Sequence, residues 1–152
     1  MGENHLWNKA KKVQMRTAPQ ITGGFDIGFD SKIPEQTKDM LMHFVYWAED
    51  HFHFPVTLWV DFKYRHYLMG ADKKRTGYRF YWVDHVSYPT FENEADIPVI
   101  ELAVLGEKQA VLTALINAIS MYFAWLTNTP MADYRPNPEE TEEILQTYLQ
   151  SK

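Results

Sequence analysis

The sequence predicts an α+β domain with an N-terminal helix, a small mixed or antiparallel twisted sheet, a long buried central helix and a C-terminal helix. Two observations predict this class. Apolar residues recur at helical spacing in two segments, shorter β-prone segments lie between them, and an acidic helical segment follows. The chain has 152 residues, of which 45% are hydrophobic, enough to bury one core. We therefore expect residues 1–152 to form a single domain, with about three to five strands in its sheet.

The N-terminal residues 1–33 are expected to form an arm before the first helix. Pro19 and the Gly23-Gly24 pair interrupt any regular pattern there. We expect at most a short strand in the arm, near Ile21 or over Phe25–Phe29. The basic residues of the arm are Lys9, Lys11, Lys12 and Arg16.

The first helix is predicted from about residue 34 to residue 51. Pro34 marks its start, because the fixed φ of proline suits the first helical turn and its missing N–H is not needed there. The apolar residues that follow recur at helical spacing, so they should face the core. They are Leu41, Phe44, Val45, Ala48 and Phe52.

Three segments have the composition of strands. Residues 56–62 alternate, which predicts a half-buried strand. Residues 78–83 are aromatic and follow Gly77, and residues 86–88 either continue this strand or begin a return strand. Residues 98–104 are more continuously apolar, which favours a central place in the sheet. The alternating segment should bury Val56, Leu58, Val60 and Phe62 on one face.

The central helix is predicted over residues 107–127, which contain neither glycine nor proline. Two apolar stripes run along it, and a helix that is apolar on most sides belongs in the middle of a domain. The first stripe is Leu112, Leu115, Ile116, Ile119, Phe123 and Leu126, and the second is Ala110, Ala114, Ala118, Met121 and Trp125.

Residues 128–152 are predicted to form a proline-broken loop followed by an acidic C-terminal helix. Pro130, Pro136 and Pro138 interrupt the chain. Residues 139–149 then have acidic side chains in the first turn, where the helix dipole favours negative charge. Their glutamates are expected to form a solvated helix face.

One stretch of the central helix resembles a metallopeptidase motif. In residues 117–125, Tyr122 and Trp125 follow a position that zincin-like proteins give to a metal-binding histidine. The order of elements also resembles the minimal zincin domain, whose central helix has the motif His-Glu-x-x-His. On this alignment Asn117, Ala118 and Met121 take the places of the first histidine, the glutamate and the second histidine. The resemblance therefore implies a zincin-like fold with a degenerate motif.

These substitutions remove the chemistry of the motif. Residues four apart share a helix face, so two histidines can bind one zinc ion while the glutamate activates water. The amide of Asn117 and the thioether of Met121 are poor zinc ligands, and Ala118 has no ionisable group to act as a base. We expect an inactive homologue with no metal, no cofactor and no catalytic residue. If the stretch never bound zinc, Asn117 is a lone polar residue and Met121 is core, with the same expectation.

The leading functional hypothesis is a binding or regulatory domain. Aromatic residues are abundant while catalytic patterns are missing, which favours a cleft that holds a peptide or a partner protein. The aromatic residues expected to line this cleft are Trp59, Tyr81, Trp82 and Trp125.

Two alternatives remain open from the sequence. A hydrolase with a non-standard site would have to assemble Glu101, His85, Asp84 and Asp133, although their spacing does not bring them together. A structural subunit would instead use exposed aromatic residues as an interface between copies of the chain.

Composition excludes several chemistries and argues against others. There is no cysteine, so disulfides, thiolate zinc sites and a cysteine nucleophile are excluded. A formal net charge of -5 argues against a nucleic-acid partner, even though aromatic and basic residues alternate between Tyr64 and Arg75. No segment is expected to act as a secretory signal or to cross a membrane, so we expect a cytoplasmic protein.

Overall fold

A computed structural model describes residues 6–9, 23–87 and 94–151 and confirms the α+β class. Its helices are α1 (Leu6–Lys9), α2 (Glu35–His51), α3 (Lys108–Leu126) and α4 (Pro138–Gln150). Its strands are β1 (Phe25–Phe29), β2 (Leu58–Lys63), β3 (Leu68–Met69), β4 (Arg75–Thr76), β5 (Tyr78–Ser87) and β6 (Glu94–Ala103). The long central helix and the C-terminal helix that the sequence predicts are α3 and α4.

The main sheet is mixed, with the strand order β1-β2-β6-β5. Strands β1, β2 and β6 are parallel to one another, and β5 runs antiparallel to β6. Strand β6 therefore has the central place that its apolar sequence predicts. Strand β5 contains a bulge between Val83 and Val86, and the short strands β3 and β4 form a separate antiparallel pair.

One face of this sheet packs against the helices. In β2, the side chains of Leu58, Val60 and Phe62 are buried on that face while Trp59 on the other face is exposed. Helix α3 packs against β5 and β6, and its core-facing side chains are fully buried, as predicted. Burying one large apolar side chain contributes about 1.5–3 kcal/mol before entropy is counted, so the buried side chains of this face stabilise the fold.

Helix α3 is the longest helix in the described part of the chain. Its length, and a mean hydropathy of 1.4 over an 18-residue window, would also suit a membrane-crossing helix. However, 67% of this 18-residue window is buried inside the fold, as expected of a core helix. Ala110, expected on its second apolar stripe, is exposed because it lies in the first turn, beyond the sheet.

Buried polar contacts fix two connections to α3. The Tyr122 hydroxyl donates to the carbonyl oxygen of Val56 at 2.6 Å and accepts from the Val56 N–H at 3.2 Å. Burial raises the pKa of this hydroxyl. Trp7 of α1 is 1% exposed, and its Nε1 donates to Ser120 Oγ at 2.9 Å. Both contacts join segments distant in sequence to one buried helix.

Two secondary-structure elements were not predicted from the sequence, and the bounds of others differ slightly from the prediction. Helix α1 and the β3–β4 pair were not predicted, because segments of two to four residues leave no periodic pattern. The predicted strand over Phe25–Phe29 is confirmed, and residues 86 and 87 continue β5 rather than starting a return strand. Strand β2 begins two residues later than predicted. Ile21, Tyr88 and most of the predicted arm lie outside the described residues.

Candidate functional site

Asn117 and Met121, two of the three positions compared with the zincin motif, lie on the side of α3 that faces α4 and the loop before it. The Oδ1 atom of Asn117 accepts a hydrogen bond from Thr141 Oγ1 of α4 at 2.7 Å. Ala118 is fully buried in the core. Met121 is half-buried and borders a groove. The three positions thus take part in helix packing, in the core and in a groove wall.

These residues do not fit a zinc ion. The oxygen of Asn117 is already bonded to α4, Ala118 offers no donor atom, and the thioether of Met121 is a soft ligand poorly matched to zinc. In the described ranges, no three or more His, Asp or Glu side chains cluster closely enough to hold a metal ion.

A groove of about 880 Å³ runs beside strand β5. Residues 78–81 of β5 and Glu101 of β6 form its floor, residues 69–72 and 74–76 around the β3–β4 pair form one wall, and Met121 with residues 134–136 forms the other. A neighbouring cavity of about 310 Å³ contains Asn117 and shares Tyr78 and Pro136 with the groove. The side of α3 that bears Asn117 and Met121 therefore borders two adjoining cavities beside an edge strand.

The outer edge of β5 has no strand partner among the described residues. The Ala103 N–H donates to the Gly77 carbonyl oxygen at 3.0 Å, which fixes the alternation of the antiparallel ladder. Arg79 and Tyr81 consequently direct their backbone groups toward β6, and Phe80 directs its N–H and C=O away from it. The groove floor thus presents an unpaired backbone donor and acceptor.

The structure does not bring together the four aromatic residues predicted to line one cleft. Trp59 and Tyr81 flank Val99 in one register row on the open face of the sheet. Trp82 lies on the opposite face, where its ring is 6.3 Å from that of Trp125. Trp125 is 0% exposed and cannot line a cleft. Tyr81 and Trp82 are separated because successive strand residues point to opposite faces.

A polar row crosses all four strands on the open face. Gly28, Asp61, Glu101 and Arg79 are neighbours in register. Glu101 accepts from Arg79 Nε at 2.7 Å and also from its Nη2, and Tyr81 Oη donates to Glu101 Oε2 at 3.3 Å. Gly28 leaves room for the Asp61 carboxylate, since a Cβ there would lie 2.8 Å from Asp61 Oδ1.

The residues of the alternative hydrolase site are dispersed over different elements. Glu101 is held by Arg79 on the open sheet face, and Asp133 is exposed in the loop between α3 and α4. Asp84 and His85 belong to the bulged end of β5, and their side chains lie outside the described part of the structure. Nothing described here joins Glu101 to Asp133.

Two tyrosines near the groove have altered environments. Burial, helped by the negative charge of Glu140, raises the pKa of Tyr134 to about 12. Burial also raises the pKa of Tyr78, against the lowering effect of Arg135. Both hydroxyls are therefore neutral at physiological pH and act as hydrogen-bonding groups. Sequence reasoning missed Tyr134, since only its position among prolines distinguishes it from other loop residues.

The aromatic and basic segment from Tyr64 to Arg75 does not present a free row of rings. The guanidinium of Arg75 lies 4.3 Å from the ring centre of Tyr67, so this ring is already covered by a cation from its own hairpin. The hairpin thus forms part of the groove wall, with aromatic and basic residues contacting each other.

Comparison of the chain with family models, with curated proteins and with solved structures gave no match.

Proposed function

We propose that this chain is a non-catalytic, zincin-like domain that binds an extended segment of a partner protein along the edge of β5. The unpaired backbone groups of Phe80, on the floor of a groove of about 880 Å³, are the observation on which the proposal depends. An extended peptide adds to such an edge through main-chain hydrogen bonds, while pockets select alternate side chains. No reactive group of the domain is required.

The zincin-like part of the proposal rests on the order of elements and on the motif positions. Helix α2, strand β2, strand β5 after Gly77, strand β6 and then α3 and α4 follow the order of the resemblance. On the alignment with the zincin motif, Asn117 and Met121 take the places of the two histidine ligands, and each borders a cavity beside β5. Their contacts supply packing and a groove wall in place of metal binding.

The groove walls suggest what the bound segment contains. Side chains of an added strand alternate between two directions. One set would approach Met121 and Tyr134, which favours apolar residues at every second position. The other set would approach the hairpin wall, where Lys74 and Arg75 favour acidic or polar residues. We therefore expect an alternating apolar and acidic sequence.

Selection from a peptide display library tests the edge directly. The Phe80→Pro variant removes the outward N–H, and proline is tolerated at such edge positions. The matched Phe80→Ala variant removes the same ring and keeps the donor. Selected peptides should bind Phe80→Ala measurably and lose about five- to tenfold more affinity on Phe80→Pro, since a lost main-chain bond costs about 1–1.5 kcal/mol. Equal affinities for the two variants would contradict edge addition.

Metal analysis and a peptidase assay test the absence of catalysis. The purified chain should contain no stoichiometric zinc and should not cleave a generic peptide mixture, because residues 117, 118 and 121 supply neither ligands nor a base. A double Asn117→His, Met121→His variant is the informative companion, since it restores two imidazoles on one helix face. Stoichiometric zinc with turnover in the unaltered chain would refute a non-catalytic role.

The same edge supports a second candidate function, self-association. Strand β5 has ten residues, and an unpaired antiparallel edge of this length can pair with a second copy. Size-exclusion chromatography with light scattering distinguishes the two candidates. A concentration-independent monomer favours a heterologous peptide, and a dimer that Phe80→Pro dissociates favours self-association.

A further inference from the structure

A further cavity, away from the side of α3 that bears Asn117 and Met121, lies at the carboxyl ends of the parallel strands β1 and β2. Its volume is about 570 Å³, within the range of small-molecule sites. Residues 30–32 follow β1, and residues 63–65 end β2 and follow it. Ligands of sheets with parallel strands commonly bind beyond the carboxyl ends of those strands.

The charge of this cavity is opposite to that of the whole chain. Four cationic side chains and two carboxylates line it, which leaves a net charge of +2 in a chain whose formal charge is -5. Arg79 is paired with Glu101. Lys32, Lys63 and Arg65 form no salt bridge in the described structure. Three of the four cations that line the cavity therefore have no salt-bridge partner among the described residues.

The loop that bears two of these cations is held in place on both sides. Asp30 accepts the Tyr64 N–H on its Oδ2 atom at 2.7 Å, and the Asp30 N–H donates to Phe62 O at 3.0 Å. The Lys63 carbonyl oxygen accepts from Val104 N–H at 3.0 Å. The loop backbone is thus fixed before any ligand arrives, which lowers the entropic cost of binding. The same contacts engage one oxygen of the Asp30 carboxylate with the backbone rather than with a lysine.

We propose that this cavity binds a phosphate group of a phosphorylated ligand. Phosphate offers two negative charges and several acceptor oxygens, which match three cations that line one cavity. A single carboxylate would leave two of the three cations without a counter-charge. The remaining volume accommodates the group that bears the phosphate, against the exposed ring of Tyr64. This proposal does not depend on peptide binding at β5.

Titration of the full chain with inorganic phosphate, followed by amide chemical shifts, tests the site. Binding should saturate at about millimolar phosphate or below, and the largest shifts should fall on residues 31–32 and 63–65. The triple variant Lys32→Gln, Lys63→Gln, Arg65→Gln should weaken binding by about tenfold or more. A matched triple variant of cations outside both the cavity and the groove, Lys38→Gln, Lys73→Gln, Lys108→Gln, removes the same charge and should bind within about twofold of the unaltered chain.

The source of the phosphate is distinguished by two further ligands. A phosphorylated sugar and a phosphoserine peptide are compared with inorganic phosphate, and tighter binding of either one supports the site and identifies its source. Equal loss of binding in the two triple variants would overturn the proposal, because it would show a general charge effect. Unchanged binding in the cavity variant, or no saturable binding by the unaltered chain, would overturn it as well.

Discussion

The two faces of the main sheet are built from the same strands and differ in almost every physical property. On the helix-covered face, Phe62 of β2 is 1% exposed, in contact with the core. On the open face, Trp59 of the same strand is 38% exposed and lies in a row with Val99 and Tyr81. Alternation along one strand therefore separates side chains that stabilise the fold from side chains available to a partner.

The difference between the faces shows where recognition can occur. Helix α3 packs against the helix-covered face, so most aromatic residues of that face contribute packing, while Trp82 remains 36% exposed. The open face has a satisfied polar row around Glu101. Between the two faces, the edge of β5 presents backbone groups that neither face uses. Recognition at the edge therefore leaves the core undisturbed and brings the partner beside Arg79, Tyr81 and Glu101 of the polar row, which also line the groove.

The largest expected effect comes from truncating one aromatic residue on each face. Phe62→Ala should lower the free energy of unfolding by about 3–5 kcal/mol, because it opens a cavity in the core. Trp59→Ala should lower it by less than about 1.5 kcal/mol, since the ring is partly solvated. Urea unfolding measures both. Similar losses in the two variants would show that the open face is covered by something that the described residues do not include.

A smaller loss is expected from removing the buried hydroxyl of Tyr122. Tyr122→Phe deletes both hydrogen bonds to Val56 and leaves a buried N–H and C=O without that partner. The cost should be about 1–3 kcal/mol. Tyr46→Phe, at a residue that is 61% exposed, is the control and should change little. Equal effects would indicate that the Tyr122 hydroxyl does not hold the segment before β2.

Alkaline pH should lower the free energy of unfolding through the ionisation of Tyr134. Burial raises the folded-state pKa of Tyr134 from 10.0 to about 12, so the unfolded chain loses this proton first. The resulting stability is present below pH 10 and is lost as the pH rises through about 12. Urea unfolding of the native chain and of Tyr134→Phe across this window should show a shallower decline in the variant. Parallel declines would contradict the assigned environment.

The smallest effect is expected on the open face, at the phenol of Tyr81. Burial raises the pKa of Tyr81, and the negative charge and hydrogen bond of Glu101 raise it further, while Arg79 lowers it. Glu101→Gln should therefore lower this pKa, and Arg79→Gln should raise it. An NMR titration of the Tyr81 ring measures both shifts. Shifts of the same sign in the two variants would exclude the polar row as the cause.

Periodic patterns in the sequence predicted most of the fold. The stripe of Leu41 and Phe44 located α2, alternation located β2, and the continuous apolar run placed β6 inside the sheet. Short elements were not predicted, because α1 and the β3–β4 pair have too few residues to show a periodic pattern. Helix α1 is positioned by the tertiary contacts of Trp7 with Ser120 and the core.

The candidate site was less predictable than the fold. Composition indicated that aromatic residues line a binding cleft. Whether Trp59, Tyr81, Trp82 and Trp125 share one cleft depends on which face of the sheet or helix each of them occupies, and composition does not give that. The groove floor consists of backbone groups, which have no sequence signature. The phosphate cavity joins residues 32, 63 and 65 only because β1 and β2 are parallel neighbours.

Amide hydrogen exchange along β5 tests the central claim most directly. In the free protein, the amides of Arg79 and Tyr81 should be protected by their bonds to β6, and the Phe80 amide should exchange rapidly. A selected peptide should slow exchange at Phe80 by at least about tenfold and leave its neighbours unchanged. Protection of Phe80 equal to that of Tyr81 in the free protein, or peptide binding that leaves Phe80 unprotected, would contradict recognition at this edge.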